Sequence, residues 1–175
     1  MRYLALLRGI NVGGNTMIKM SELVAQIESL GFIAVKTYIN SGNIAFDLPK
    51  TVEEKLVAKI EEALEKRFGR AISVMVREQD SIREVIAANP FDGQFESHKE
   101  MHVLFLKDEM PPDKIGELMA AAPPQERFAV RGREIYCHLP MGVADSLLGR
   151  NFIEKKLKVS VTGRNWRTVE KLAQL

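Results

Sequence analysis

The stretch Val35-Lys36-Thr37-Tyr38-Ile39-Asn40-Ser41-Gly42-Asn43-Ile44-Ala45-Phe46 decides the fold. Val35 to Ile39 is β-branched and aromatic, Ser41-Gly42-Asn43 is turn chemistry, and Ile44-Ala45-Phe46 returns as a second strand. The segment reads as a hairpin. On its N-terminal side Met20, Leu23, Val24, Ile27 and Leu30 recur at helical spacing and Gly31 stops the helix. Before that helix, residues 2–8 are apolar enough for a central strand. On the C-terminal side Thr51 with Glu54 three residues on has the form of a capping box. Val52, Leu56, Ile60, Ala63 and Leu64 make the stripe of the helix it would start, and Ile72 to Val76 reads as a fourth strand. The order is β-α-β-β-α-β, the ferredoxin-like pattern.

The second half repeats much of this order. Ser81 with Glu84 predicts a cap for a short helix that Asn89-Pro90 ends. Residues 93–100 are polar and loop-like. Met101 to Leu106 reads as a strand, and Pro111-Pro112 suits the start of a helix with Ile115, Leu118 and Met119 on one face. Phe128 to Val130 and Ile135 to Cys137 flank the turn Arg131-Gly132-Arg133. A helical stretch is expected over 146–156, and a last helix from Thr162 or Asn165 with Trp166, Val169 and Leu172 on one face. This predicts an α+β protein of two ferredoxin-like units, β-α-β-β-α-β over 1–90 and β-α-β-β-α over 91–175. Tight turns between paired strands make the sheets mostly antiparallel.

Composition agrees with a globular chain. Of 175 residues, 46% are hydrophobic and 27% charged, which excludes disorder, collagen and a pure coiled coil. A prior of about 150 residues per domain allows one domain or two small ones. The single cysteine, Cys137, cannot form an internal disulfide and points to a reducing, cytoplasmic setting. No apolar run approaches the ~18 residues of a bilayer span, so no membrane partner is expected. The chain opens on a strand pattern rather than a signal peptide.

Net charge is +2, unevenly placed. Residues 1–20 hold Arg2, Arg8 and Lys19 and no acid. Residues 151–175 hold six basic groups against Glu154 and Glu170, so the middle is acidic. Ends that met in space would form a positive patch.

The β-α-β-β-α-β order brings the first strand-to-helix loop and the hairpin turn to one end of the sheet. Arg8, Asn11, Gly13, Gly14, Lys19, Asn40, Ser41, Gly42 and Asn43 collect there, with Arg67 and Arg70 within range. Glycines allow close backbone approach, and the first helix presents the positive end of its dipole. That chemistry favours a phosphate or carboxylate. It is not a P-loop, because no Gly-Lys-Ser/Thr follows the glycines, and no Gly-x-Gly-x-x-Gly occurs. The plainer alternative is that the glycines only turn the chain. A second cluster is Thr162-Gly163-Arg164-Asn165-Trp166-Arg167-Thr168. There Thr162 or Asn165 caps the last helix, Arg164 and Arg167 share a helix face, and Trp166 either stacks on a base or sugar or anchors the core.

Other constellations point nowhere specific. His98 and His102 are four apart, but a strand does not put them on one face, so no metal site is expected. Cys137 alternates with Ile135 and Leu139 and should point inward. No serine sits in a nucleophile elbow. Tyr3, Tyr38 and Phe46 do not form the aromatic strands of an RNA-recognition domain. No cofactor motif is present.

The segments Ala5-Leu6-Leu7-Arg8-Gly9-Ile10-Asn11-Val12-Gly13-Gly14, Thr37-Tyr38-Ile39-Asn40-Ser41-Gly42-Asn43 and Thr162 to Leu172 resemble a bacterial family catalogued as domain of unknown function 1697. Asn89-Pro90-Phe91 and Pro140-Met141-Gly142-Val143 fit it too, so the resemblance spans nearly the whole chain. It implies an α+β fold of two related units and no activity. Its signature segments coincide with the two clusters reached from charge and turn chemistry.

Three functions follow as expectations. The first is binding of a phosphate-bearing ligand, a nucleotide or nucleic acid backbone. Arg8, Lys19 and the Gly13-Gly14 backbone would hold the anion, Asn11, Ser41 and Asn43 would supply hydrogen bonds, and Arg164, Asn165 and Trp166 would add contacts if the last helix packs close. The second is a non-catalytic protein-interaction module using open sheet edges or an apolar patch. The third is a small enzyme acting by electrostatic stabilisation from Arg8, Asn11 and Asn43.

Overall fold

The computed structural model describes residues 1–13 and 17–175; Gly14 lies outside the described residues. The chain divides into two compact units, Met1–Arg83 with Lys171–Leu175, and Glu84–Glu170. Each carries one four-stranded antiparallel sheet, so the protein is α+β.

The first unit runs β1 (Arg2–Leu7), α1 (Met20–Glu28), β2 (Ile33–Thr37), β3 (Asn43–Asp47), α2 (Glu53–Phe68) and β4 (Val74–Glu78), and its sheet order is β2-β3-β1-β4. β1 sits between β3 and β4, with Leu4 opposite Ala45 on one side and Arg77 on the other. Tyr3 to Leu7 are all buried, which is why this strand reads as an unbroken apolar run. Tyr3, Ala5 and Leu7 share a core with Ile44, Phe46, Val74, Leu23 and Ile27 of α1, and Leu56, Ile60 and Leu64 of α2. Burying each large aliphatic side chain contributes about 1.5–3 kcal/mol. The chain ends meet in this unit, where Arg2 Nε and Nη2 donate to Leu175 O at 3.2 and 3.0 Å.

The second unit runs from α3 (Gln79–Ala87), whose first residues belong to the first unit, through β5 (Met101–Leu106), α4 (Pro112–Ala121), β6 (Arg127–Arg131), β7 (Glu134–His138), α5 (Phe152–Lys155) and β8 (Val161–Asn165) to α6 (Trp166–Leu172), whose last two residues belong to the first unit. Its sheet order is β6-β7-β5-β8. Leu104, Leu106, Ile135, Cys137, Leu139 and Val161 form its core with Leu118 of α4 and Ile153 of α5. Cys137 is fully buried and points inward, as its alternation predicts.

Several local expectations need correction. Of the two starts expected for the last helix, Asn165 holds and Thr162 does not: residues 161–165 form a strand paired with β5, so the second unit has one strand more than expected. Arg164 and Arg167 therefore lie on different elements and share no helix face. The helix expected over 146–156 is mostly turns, with only the four residues of α5 helical. Thr51 is no cap: Val52 is the N-cap of α2 without a side-chain bond, and Thr51 Oγ1 donates back to Pro49 O at 2.9 Å. Ser81 lies inside α3, its hydroxyl donating to Glu78 O at 2.7 Å. The fourth strand begins at Val74 rather than Ile72.

Candidate functional site

Three connections of the first unit converge at one end of its sheet. Leu7 N donates to Gly42 O at 2.8 Å, which ties the end of β1 to the hairpin turn. Arg8 N donates to Ser73 O at 2.9 Å, which ties it to the residue before β4. Asn11 joins the loop to the start of α1: its Oδ1 accepts from Ile18 N at 2.6 Å, and its Nδ2 donates to Ile18 O at 3.0 Å and to Asn40 O at 2.7 Å.

Asn43 does the same inside the hairpin. It is buried at the head of β3, and its Nδ2 donates to Tyr38 O and to Ser41 Oγ, each at 3.0 Å. Both asparagine amides thus hold backbone in place. Gly42 is required by geometry. Its φ is +89°, and a Cβ there would lie 2.7 Å from Leu7 Cβ. Asn11 and Ile39 also hold left-handed φ values of 55° and 49°, and for a β-branched residue such as Ile39 that is strained. Backbone strain of this kind concentrates at functional loops.

On this frame Arg8 and Lys19 are exposed. Lys19 is the N-cap of α1 and supplies no side-chain cap to the first-turn amides, so the positive end of that helix is uncapped by its own N-cap residue. Glu22 is the one acid of the first turn, and Arg67 Nη2 lies 3.9 Å from its Oε2. The Arg67 guanidinium also stacks on the Phe68 ring, 5.1 Å from the centroid. Gly13 has a φ of +47° with open space where a Cβ would be.

The residues of the second cluster are engaged inside the second unit. Arg164 is buried, and its Nη1 donates to Thr162 Oγ1 at 2.7 Å and to Gly163 O at 2.8 Å. Burial lowers its pKa to about 10. Trp166 is 6% exposed and meets Phe95 edge to face, with ring centroids 5.9 Å apart. Asn165 Oδ1 accepts from Thr168 N at 3.0 Å, so Asn165 caps α6 as its position predicts. Residue types had not pointed to Ile18, the Asn40 carbonyl or Ser73. They act through backbone atoms, which every residue carries.

Among the described residues no group of three or more His, Cys, Asp or Glu is placed to hold a metal ion. Among them, too, no helix is long and apolar enough to cross a membrane.

The two β-sheets and their helices define an α+β protein of two units with related strand orders. The family described as "Protein of unknown function (DUF1697)" matches residues 1–136, and the chain belongs to that family. A solved structure of a conserved bacterial protein, SP0830 from Streptococcus pneumoniae, is similar with a TM-score of 0.79 at 22% identity, covering 99% of this chain and 97% of its own. No curated protein matches the chain.

Proposed function

We propose that the loop end of the first unit binds an anionic group, a phosphate borne by a nucleotide or a nucleic acid backbone. One observation carries this reading. Asn11 ties Ile18, two residues ahead of α1, to Asn40 of the hairpin, while Arg8 and Lys19 stand exposed. A helix start whose own N-cap residue, Lys19, makes no side-chain cap, with the exposed Arg8 in the preceding loop, favours negative charge. Asn11 and Asn43 then act by holding the loops, and Arg8, Lys19 and loop amides make the contacts.

The test is thermal stability against phosphate, nucleotides and short single-stranded nucleic acids, at low and high salt, with Arg8→Ala beside the native chain. Binding raises the melting temperature by mass action. The expected result is a rise of a few degrees that Arg8→Ala removes. A steep loss with salt would assign nucleic acid, and a shallow one a small nucleotide. No rise with any of these would sink the reading.

A second reading, protein interaction, draws on β2. It is an edge strand, and Ile33 is 65% and nearby Ile39 53% exposed. The same panel separates the two, because an interaction module gives no shift with phosphate compounds.

A further inference from the structure

The second unit contains a cavity of about 250 Å³. It lies between one face of its sheet, where His102 and Leu104 of β5 and Gly163 of β8 form the floor, and the segment that carries Leu148, Phe152 and Glu154. It is half open to solvent, and its volume exceeds the roughly 150 Å³ of an enclosed engineered cavity that holds benzene.

The two units explain why space exists here. In the first, β1 pairs Ala5 with Val76 of β4, and the sixteen-residue α2 covers that face. In the second, the matching register position pairs Leu104 with Gly163, and the connection from β7 to β8 contains only the four-residue α5. Across that pair the side-chain bulk is redistributed rather than lost, Ala5 with Val76 giving way to Leu104 with Gly163, but a long helix is replaced by turns. Leu104 leans over the glycine, since a Cβ on Gly163 would come 2.9 Å from its Cδ2, but it does not close the space above.

The walls set the ligand's chemistry. Leu104, Leu148 and Phe152 are apolar. His102 supplies a polar group where the first unit has Tyr3 at the same register. Its Nδ1 is sealed from solvent with no hydrogen-bond partner among the described residues. A sealed lone pair is tolerated better than a sealed N–H, which puts the proton on Nε2 and makes the ring a donor. Burial, with His98 nearby, lowers the His102 pKa to about 4, so the ring is neutral near pH 7. Asn151 and Glu154 also line it, and the negative charge of Glu154 disfavours an anion.

We propose that this cavity binds a small uncharged ring compound with one hydrogen-bond-accepting oxygen, its ring against Leu148 and Phe152 and its oxygen on His102. The site is separate in chemistry from the anion-binding loops of the first unit, and neither depends on the other.

The test is a titration of the full chain with phenol, toluene and benzoate, followed by backbone amide NMR. Phenol should give saturable shifts at Leu104, Phe152 and Gly163, with toluene roughly tenfold weaker, the weight of one hydrogen bond. Benzoate should give none there. His102→Phe should bring phenol and toluene level, and Leu148→Trp, which fills the space, should abolish both. No saturable shift with phenol at these amides would overturn the proposal. So would equal binding of phenol and toluene by the native chain, or shifts that persist in a folded Leu148→Trp variant. The native-chain comparison decides the matter even if a variant fails to fold.

Discussion

Asn11 combines two properties that few residues share. Its φ of 55° is in the left-handed region, and its amide makes three hydrogen bonds to backbone atoms of residues 18 and 40. Asparagine tolerates that φ better than other residues with a side chain, and glycine tolerates it best. The two contributions can be separated by mutation. Asn11→Gly keeps the backbone at ease and loses the hydrogen bonds, so it should destabilise by about 1–3 kcal/mol. Asn11→Ala loses the bonds and adds left-handed strain, so it should be worse by a further ~1 kcal/mol. Urea denaturation of both variants checks the order. Equal losses would mean that the backbone here relaxes on mutation. At the same scale the signature segments gain a physical meaning. Gly42 is confined by Leu7, Asn43 braces the turn and Asn165 caps a helix. Asparagine and glycine are legible in the sequence as turn formers, but the backbone atoms they would hold are not.

Helix starts show how element-scale reading succeeds and fails. The Thr51–Glu54 and Ser81–Glu84 patterns both have capping-box form, and neither makes the bonds. Thr51 N donates instead to Tyr3 Oη at 2.9 Å, which draws the segment before α2 toward β1. Asn165, in contrast, caps α6 through Thr168 N. Removing a true N-cap side chain costs about 1 kcal/mol. Asn165→Ala should therefore lower stability by about that amount, while Thr51→Ala should change it by less than about 0.5 kcal/mol. Chemical denaturation of the pair checks this, and a large loss from Thr51→Ala would restore the capping role. The strand β8 was illegible for a related reason. Gly163 and Asn165 are poor strand formers, so local propensity argues for a turn. Pairing with β5 overrides it, with Leu104 opposite Gly163 and His102 opposite Asn165. Long, strongly patterned elements such as β1, α2 and β5 were readable because burial and periodicity agree along their whole length.

At the scale of the molecule, two histidines of the second unit couple stability to pH. His102 has its pKa lowered from the ordinary 6.5 to about 4 by burial and by His98. His138, buried beside the Arg127 guanidinium, is shifted in the same direction, first by burial and then by that charge. Well above pH 6.5 both rings are neutral in folded and unfolded chains, and stability is at its full value. As pH falls from 6.5 toward 4, the unfolded rings take up protons that the folded rings resist, so stability drops. For His102 the loss is at most roughly 3 kcal/mol. Urea midpoints measured between pH 7 and pH 4.5 should fall in the native chain and fall less in His102→Phe. An equal fall in both would assign the effect to other groups.

The order of elements in the first unit, the α+β class and the inward Cys137 follow from residue periodicity and turn chemistry alone. Those signals are local, because each element must present one apolar face or stripe whatever its partner. The family resemblance was equally legible, since it rests on contiguous segments. What only the tertiary structure decided is non-local. It showed that Asn11 holds Asn40 and Ile18, that Arg164 is buried in a strand, and that a cavity opens in the second unit on the sheet face that α2 covers in the first. Each depends on residues distant in sequence sharing one small volume, and packing at that density is set by the sum of neighbours rather than by any one stretch of chain.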